Sequence, residues 1–249
     1  MTPIEQVGEF FLNKKPSRSS FVDLPFDETL KLKPPSQMPW FEFFMEDFPV
    51  EEILQEAKNI KHLFVEHREA NLHKGWKSIC LHGISAQKTM CHSDYNLSED
   101  EANYDWTEIE KLCPVSVHYF KRIFPAETYK RIRFMLVEPG GYVGPHRDRD
   151  TKSLGPLTIA LNAPKNCHFG IEGYGTIPIK AGGFYLVDLS NRHSVWNQSD
   201  EDRFHITVEC LHGKHHKDYL KKLLHTYEKT HPLRRWFNLQ YLKMRKLLS

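Results

Sequence analysis

Residues 131–150 read RIRFMLVEPGGYVGPHRDRD. An alternating run, a Pro-Gly-Gly turn and a second run ending in His146-Arg147-Asp148 predict two strands joined by a tight bend. Residues i and i+2 of a strand point the same way. His146 and Asp148 therefore converge, while Arg147 faces away. Arg131, Arg133 and Met135 share one face of the first run; Ile132, Phe134 and Leu136 share the other. If the apolar set meets covering helices, the two arginines point into a barrel and need an anion there. That anion would be a substrate carboxylate or the inner end of an oxo-acid cosubstrate. The alternative is a strand-end arginine paired with a surface carboxylate. Arg149 has the parity of His146 and Asp148, which places it at the mouth.

The same texture continues to Cys210. PLTIALN, HFGI, GTIPI, GGFYLVDL, HSVW and RFHITVEC are short apolar runs separated by Gly, Pro and Asn. They predict an antiparallel all-β unit, a sandwich or barrel. Before it, residues 1–49 read as irregular, broken by Pro16, Pro25, Pro34, Pro35 and Pro39, with Trp40, Phe41, Phe43 and Phe44 pinning the segment to a core. A helix is expected after Asp47, with Val50, Ile53, Leu54 and Ala57 on one face. A second is expected from an Asp105 cap, and a third from Pro114. The organisation is thus 1–128, an N-terminal segment with helices packing on the core; 129–212, the β core; and 213–249, a basic helical extension.

Three His-x-Asp pairs occur: His92/Asp94, His146/Asp148 and His216/Asp218. The first sits in a polar stretch and the last in an expected helix, so both read as surface. Only His146/Asp148 has a strand behind it and a distant strand ahead. His193 opens HSVW after the run GGFYLVDL. Two imidazoles and one carboxylate on one face of a metal form the facial triad of non-haem Fe(II) oxygenases, which leaves coordination positions open. Arg203 lies ten residues after His193. A hairpin through NQSDED would return it beside His193, where a guanidinium can hold a carboxylate by two parallel hydrogen bonds. His205 and Thr207 share its parity. Trp76 and Lys77, in KGWKSICLHG, can reach the pocket from the N-terminal region.

At 249 residues, 40% hydrophobic and 27% charged, the composition is that of a soluble globular protein. Five scattered cysteines without a C-x-x-C pair imply reduced thiols and a cytoplasmic location. No signal-peptide core or membrane-length apolar run is present. The net charge of +2 hides an asymmetry. From Lys214 onward ten basic side chains face only Asp218 and Glu228, a balance of +8. This stretch reads as a helical cover with a solvated cationic face, or as a surface for nucleic acid or another acidic partner.

The stretch from EPGGYVGPHRDRD through LTIALNAP to GGFYLVDLSNRHSVWNQSDEDRFHITVEC resembles the aspartyl/asparaginyl β-hydroxylase-like branch of the Fe(II)/2-oxoglutarate dioxygenases. Bacterial hydroxylases of free proline are similar over the same region. The resemblance implies an α+β fold whose mainly β core is a double-stranded β-helix (jelly roll). It implies Fe(II) on His146, Asp148 and His193, with Arg203 binding the distal carboxylate of 2-oxoglutarate and dioxygen as the oxidant. Asp148 is closer to the free-amino-acid hydroxylases, since the peptide-modifying aspartyl hydroxylase has Gly at that position. The polar groups that help hold 2-oxoglutarate in the family are replaced by Met135 and Pro156. The reaction implied is hydroxylation of a small amino-acid-like substrate, with Arg131, Arg133 and Arg149 as candidate substrate contacts. The rival readings are a peptide or protein hydroxylase, a non-catalytic jelly-roll binding protein with a basic tail, and a zinc hydrolase.

Overall fold

The computed structural model describes residues 2–12, 40–45, 47–68, 72–124, 126, 128–148, 156–172, 175–187, 189 and 191–210. Among them eleven strands form one curled sheet. In chain order they are β1 (Trp40–Phe44), β2 (Val65–Glu66), β3 (His73–Gly83), β4 (Asp105–Trp106) and β5 (Tyr129–His146). Then come β6 (Leu157–Ala160), β7 (Cys167–Ile171), β8 (Gly175–Thr176), β9 (Gly183–Val187), β10 (His193–Asn197) and β11 (Arg203–Cys210). The hydrogen-bonded path is β1-β9-β6-β11-β5-β10-β7-β8.

The 18-residue β5 explains this path. Its first half pairs with β11 and its second half with β10, both antiparallel. The change of partner falls at Pro139-Gly140-Gly141. Gly140 has φ +68°, a left-handed conformation open to glycine. At Gly141 a Cβ would meet the Glu138 carbonyl at 2.7 Å and the Lys74 carbonyl at 2.8 Å. The bend therefore splits β5 between two sheets. One holds β9, β6, β11 and the start of β5; the other holds the end of β5 with β10, β7 and β8. Apart from the β7–β8 hairpin, strands from β5 onward alternate between them, and the fold is a double-stranded β-helix.

Directly opposed residues of paired strands share a face. Arg203, His205, Thr207 and Glu209 of β11 oppose Val137, Met135, Arg133 and Arg131 of β5. These eight face the barrel interior. Ile132, Phe134 and Leu136 turn outward and join Phe184, Phe204, Ile206 and Val208 in the larger apolar cluster. Helix α2 (Val50–Asn59) buries Ile53 and Ala57 in that cluster, the face its spacing predicts. Glu56, on the same helix, accepts hydrogen bonds from the Val115 and Ser116 N–H groups and the Ser116 hydroxyl. It thereby satisfies the start of α3 (Pro114–His118), the helix Pro114 opens. A smaller cluster of Val137, Val143, Ala160, Phe169, Ile171, Tyr185, Val187 and Val195 fills the interior.

Three expectations are corrected. Residues 1–49 are not wholly irregular: Pro3–Leu12 is a helix, α1, and β1 adds a strand to the edge at β9. Asp105 caps no helix. It begins β4 opposite Gly83, and its carboxylate accepts from the Trp106 N–H; a single short turn follows at Glu108–Leu112. The segment between His193 and Arg203 makes no hairpin, because β10 and β11 bond to different halves of β5 and not to each other. Sheet 73–83, unforeseen as a strand, runs along most of β5, so the region before residue 129 contributes directly to the sheet. The extension 213–249 lies outside the described residues. Among those described, no helix is long and apolar enough to cross a membrane.

Candidate active site

The bend in β5 aims its second half at the barrel mouth, where His146 ends the strand directly opposite His193, the first residue of β10. The two rings lie with centroids 4.3 Å apart. Each is held by the same device. His146 Nδ1 bonds the Gly144 carbonyl at 2.8 Å, and His193 Nδ1 bonds the Asn191 carbonyl at 2.9 Å. A carbonyl only accepts, so each Nδ1 carries a proton, and in the neutral ring the lone pair is left on Nε2. That is the ligating tautomer, oriented from behind. Burial, followed by the charge of His146, pulls His193 down to about 4, against the opposing pull of Asp148. His193 is accordingly neutral at physiological pH.

Asp148 is tied to the other side of the site, since its N–H donates to the Leu189 carbonyl at 3.1 Å. Its carboxylate comes within 3.6 Å of His146 Nε2. One ligand atom from each of His146, Asp148 and His193 lies within 4.8 Å of the others. Arg147 turns outward, as its parity predicts, and pairs with Glu172, which also reaches Arg192. Arg149 lies outside the described residues. Of the two decoys, His92 bonds Tyr104 and Asp94 accepts from the Cys91 N–H within a local turn. His216 and Asp218 fall outside the described residues.

Arg203 reaches the interior from β11 and is only 4% exposed. Its Nη1 donates to His205 Nδ1 at 3.2 Å, and its guanidinium lies 6.0 Å from the centre of the Phe169 ring. Its Nη2 is buried without a hydrogen-bond partner among the described residues. Burial depresses its proton affinity, with Cys167 and Tyr185 opposing. A buried guanidinium with an orphaned donor is costly unless an anion completes it.

Arg131 and Arg133 also face inward, and the anion there is Glu209. Arg131 Nε donates to Glu209 Oε2 at 2.8 Å and Arg133 Nη2 to Oε1 at 2.7 Å. Arg133 further donates to the Thr207 hydroxyl and the Thr89 carbonyl. Burial alone would raise the Glu209 carboxyl; Arg133 and Arg131 overcome this and hold it below the ordinary carboxylate range. Glu209 shares the parity of Arg203, His205 and Thr207, so its inward direction was readable, though not its partners. His67 and His73 were missed altogether. His67 bonds Ser78 and Thr89 beneath Trp76, and His73 stands beside His146. Neither lies in a motif, and only the unforeseen pairing of β3 with β5 brings them in.

A double-stranded β-helix with two imidazoles and a carboxylate gathered at its mouth is the frame of a metal-dependent oxygenase. The aspartyl/asparaginyl β-hydroxylase family profile matches residues 48–213, and the chain belongs to that family. It is a hydroxylase of the 2-oxoglutarate/Fe(II) oxygenase class. No curated protein matches it. Among solved structures it is similar to a prolyl-4-hydroxylase from Pseudomonas putida, at 14% identity over 72% of this chain and 95% of the other, TM-score 0.41. It is also similar to a 2OG-Fe(II) oxygenase-family oxidoreductase from Burkholderia pseudomallei, at 10% identity over 78% and 92%, TM-score 0.40. A third is a Trichoplax adhaerens prolyl hydroxylase in complex with a hypoxia-inducible-factor peptide, at 15% identity over 80% and 90%, TM-score 0.41. These are distant likenesses, and nothing below rests on them.

Proposed function

We infer that His146, Asp148 and His193 hold one Fe(II), that Arg203 receives the distal carboxylate of 2-oxoglutarate, and that the substrate is a small amino-acid-like molecule. The observation that carries this reading is the orphaned Nη2 of Arg203. The barrel interior buries a cation with a donor to spare on the strand that follows His193, and a dicarboxylate cosubstrate explains both. A zinc hydrolase would give this guanidinium no task. The donor set fits a borderline cation with open positions: two neutral imidazole nitrogens and one carboxylate oxygen. When bound, Fe(II) with 2-oxoglutarate and dioxygen supplies the oxidation that places a hydroxyl on an unactivated carbon, with succinate and carbon dioxide as co-products.

The protein's part is geometry and exclusion of water. The Gly144 and Asn191 carbonyls hold the Nδ1 protons and so fix the ring orientations that leave Nε2 as the ligating nitrogen. The Leu189 carbonyl anchors the backbone of Asp148. Phe169 stands 6.0 Å from both the His193 ring and the Arg203 guanidinium and packs in an apolar cluster with Val195 and Tyr185, surroundings that strengthen a guanidinium–carboxylate contact. All five cysteines are free thiols, which supports a reducing, cytoplasmic setting.

Incubation with Fe(II), ascorbate and 2-oxoglutarate should yield succinate and, in a screen of amino acids and peptides, a product heavier by one oxygen. His193→Ala should abolish stoichiometric Fe(II) binding with the fold retained. Unchanged metal content after separate substitution of His146, Asp148 and His193 would place the metal elsewhere.

A further inference from the structure

We propose that His73 forms a second carboxylate-binding subsite, separate from Arg203, that reads the carboxylate of the substrate through its Nε2–H. The proposal rests on the hydroxylase reading above and names the substrate contact of the same site. His73 opens β3 opposite Val143 of β5, three residues before His146. The backbones meet closely here: a Cβ on Gly144 would lie 2.4 Å from the Leu72 carbonyl. The Gly144 N–H donates to His73 Nδ1 at 3.1 Å and to the Leu72 carbonyl at 3.0 Å.

That hydrogen bond decides the chemistry of the ring. A backbone N–H can only donate, so Nδ1 is the bare nitrogen and the ring's proton sits on Nε2. Nε2 lies across the ring from Nδ1 and has no hydrogen-bond partner among the described residues. The residue is 8% exposed, and Nε2 is not one of its fully buried unpartnered atoms, so this donor remains reachable from solvent. It is also rigid. The ring packs edge-on against Trp76 at 4.9 Å and against His146 at 5.8 Å. A fixed, reachable, unanswered donor beside a metal ligand is placed to receive a substrate acceptor.

Charge indicates which acceptor. Arg68 is close enough to act on the His73 ring, is exposed, and has no ion pair among the described residues. Among the described residues no carboxylate acts on the ring. An incoming carboxylate would therefore meet a neutral N–H donor backed by a guanidinium. Arg131 and Arg133, the other inward cations considered for this role, are already engaged by Glu209.

The test begins with the wild type, Fe(II) and 2-oxoglutarate alone. Succinate formation there shows the hydroxylase machinery at work, and its absence counts against the function rather than the subsite. Oxygen uptake is then screened with free α-amino acids and with their α-amides. At least one acid should stimulate uptake, with its amide markedly weaker. His73→Leu should raise KM for that acid roughly tenfold or more, the effect of a lost hydrogen bond to a charged group, while largely keeping kcat. His73→Gln, which restores an N–H near the Nε2 position, should recover much of the loss. Fe(II) stoichiometry and the Kd for 2-oxoglutarate should stay at wild-type values in both. Should neither variant fold, the ¹⁵N shift of wild-type His73 serves instead: Nε2 should be the protonated nitrogen and should move when the acid is added. Amides as good as acids, no stimulation by any acid, an unchanged KM in His73→Leu, or a bare Nε2 would each overturn the subsite.

Discussion

The paired inner faces of β5 and β11 carry two buried cationic centres that look alike in sequence and differ in how they are answered. At one end Arg131 and Arg133 are answered by Glu209, and the polar hydrogens of Arg133 are shared among Glu209, Thr207 and Thr89. At the other end, among the described residues, Arg203 hydrogen-bonds only the lone pair of His205 and leaves Nη2 unpaired. A charge whose needs are met inside the protein holds structure. A charge left in need is kept for a ligand, because the unpaired state costs stability that only binding returns.

The largest expected effect lies at the satisfied end. Glu209→Ala strands two buried guanidiniums and should cost about 3–5 kcal/mol of folding stability, the range for breaking a buried ion pair. Urea denaturation would read it as a lower midpoint at unchanged slope. Arg203→Met should do the opposite, leaving the melting temperature without cosubstrate at or above the wild-type value. A large fall for Arg203→Met, or none for Glu209→Ala, would break the contrast.

The second effect concerns the cosubstrate. Losing a desolvated charge pair costs about 2–5 kcal/mol. Arg203→Met should thus raise the 2-oxoglutarate KM by more than about tenfold with iron affinity nearly intact, and remove the rise in melting temperature that 2-oxoglutarate gives the wild type. Arg203→Lys keeps the charge but not the two-pronged donor, so it should rescue only in part. Normal 2-oxoglutarate kinetics in Arg203→Met would remove the assignment.

How much of this was legible in the sequence follows the same division. His146, Asp148 and His193 could be brought together because strand parity and strand-end position fix where such side chains point, whereas Arg203 reaches the interior by its place on β11 opposite Val137 and not by the expected hairpin. Glu209 pointed inward by parity too, but a lone sequence does not say which opposing strand lies beside it, and so Arg131 and Arg133 stayed open between ligand and partner. β3 was obscured for a local reason. Ser78-Ile79-Cys80-Leu81-His82 alternates as a strand should, yet Gly75, at φ +60°, sits at a bulge, and Lys74 and Lys77 flank it. The bulge shifts the register before the pattern is long enough to recognise, and with it His73 dropped from view.

The smallest effect per unit is a pH dependence that the two ends divide between them. His73 and His193 are both pulled from 6.5 to about 4, each by burial first and by His146 next. For a histidine with a depressed native pKa, the unfolded chain takes up protons first as pH falls below 6.5, and the folded chain follows only near 4. Metal-free protein should therefore lose stability through this window, by about 1.4 kcal/mol per pH unit for each such imidazole. Fe(II) needs the same imidazoles unprotonated, so its affinity should weaken in acid as well. Glu209 behaves differently. Its native pKa is below 4.5, so its contribution is present above 4.5 and fades only as pH falls further. Urea midpoints measured from pH 7 to 4 on wild type and Glu209→Gln can separate the two. The curves should run parallel above pH 5, where the histidines govern the slope, and converge below it, where the wild type loses the carboxylate that the variant already lacks. Convergence beginning near neutrality, or a wild-type curve flat between pH 6.5 and 5, would show that the imidazoles at the mouth are not held neutral by their surroundings.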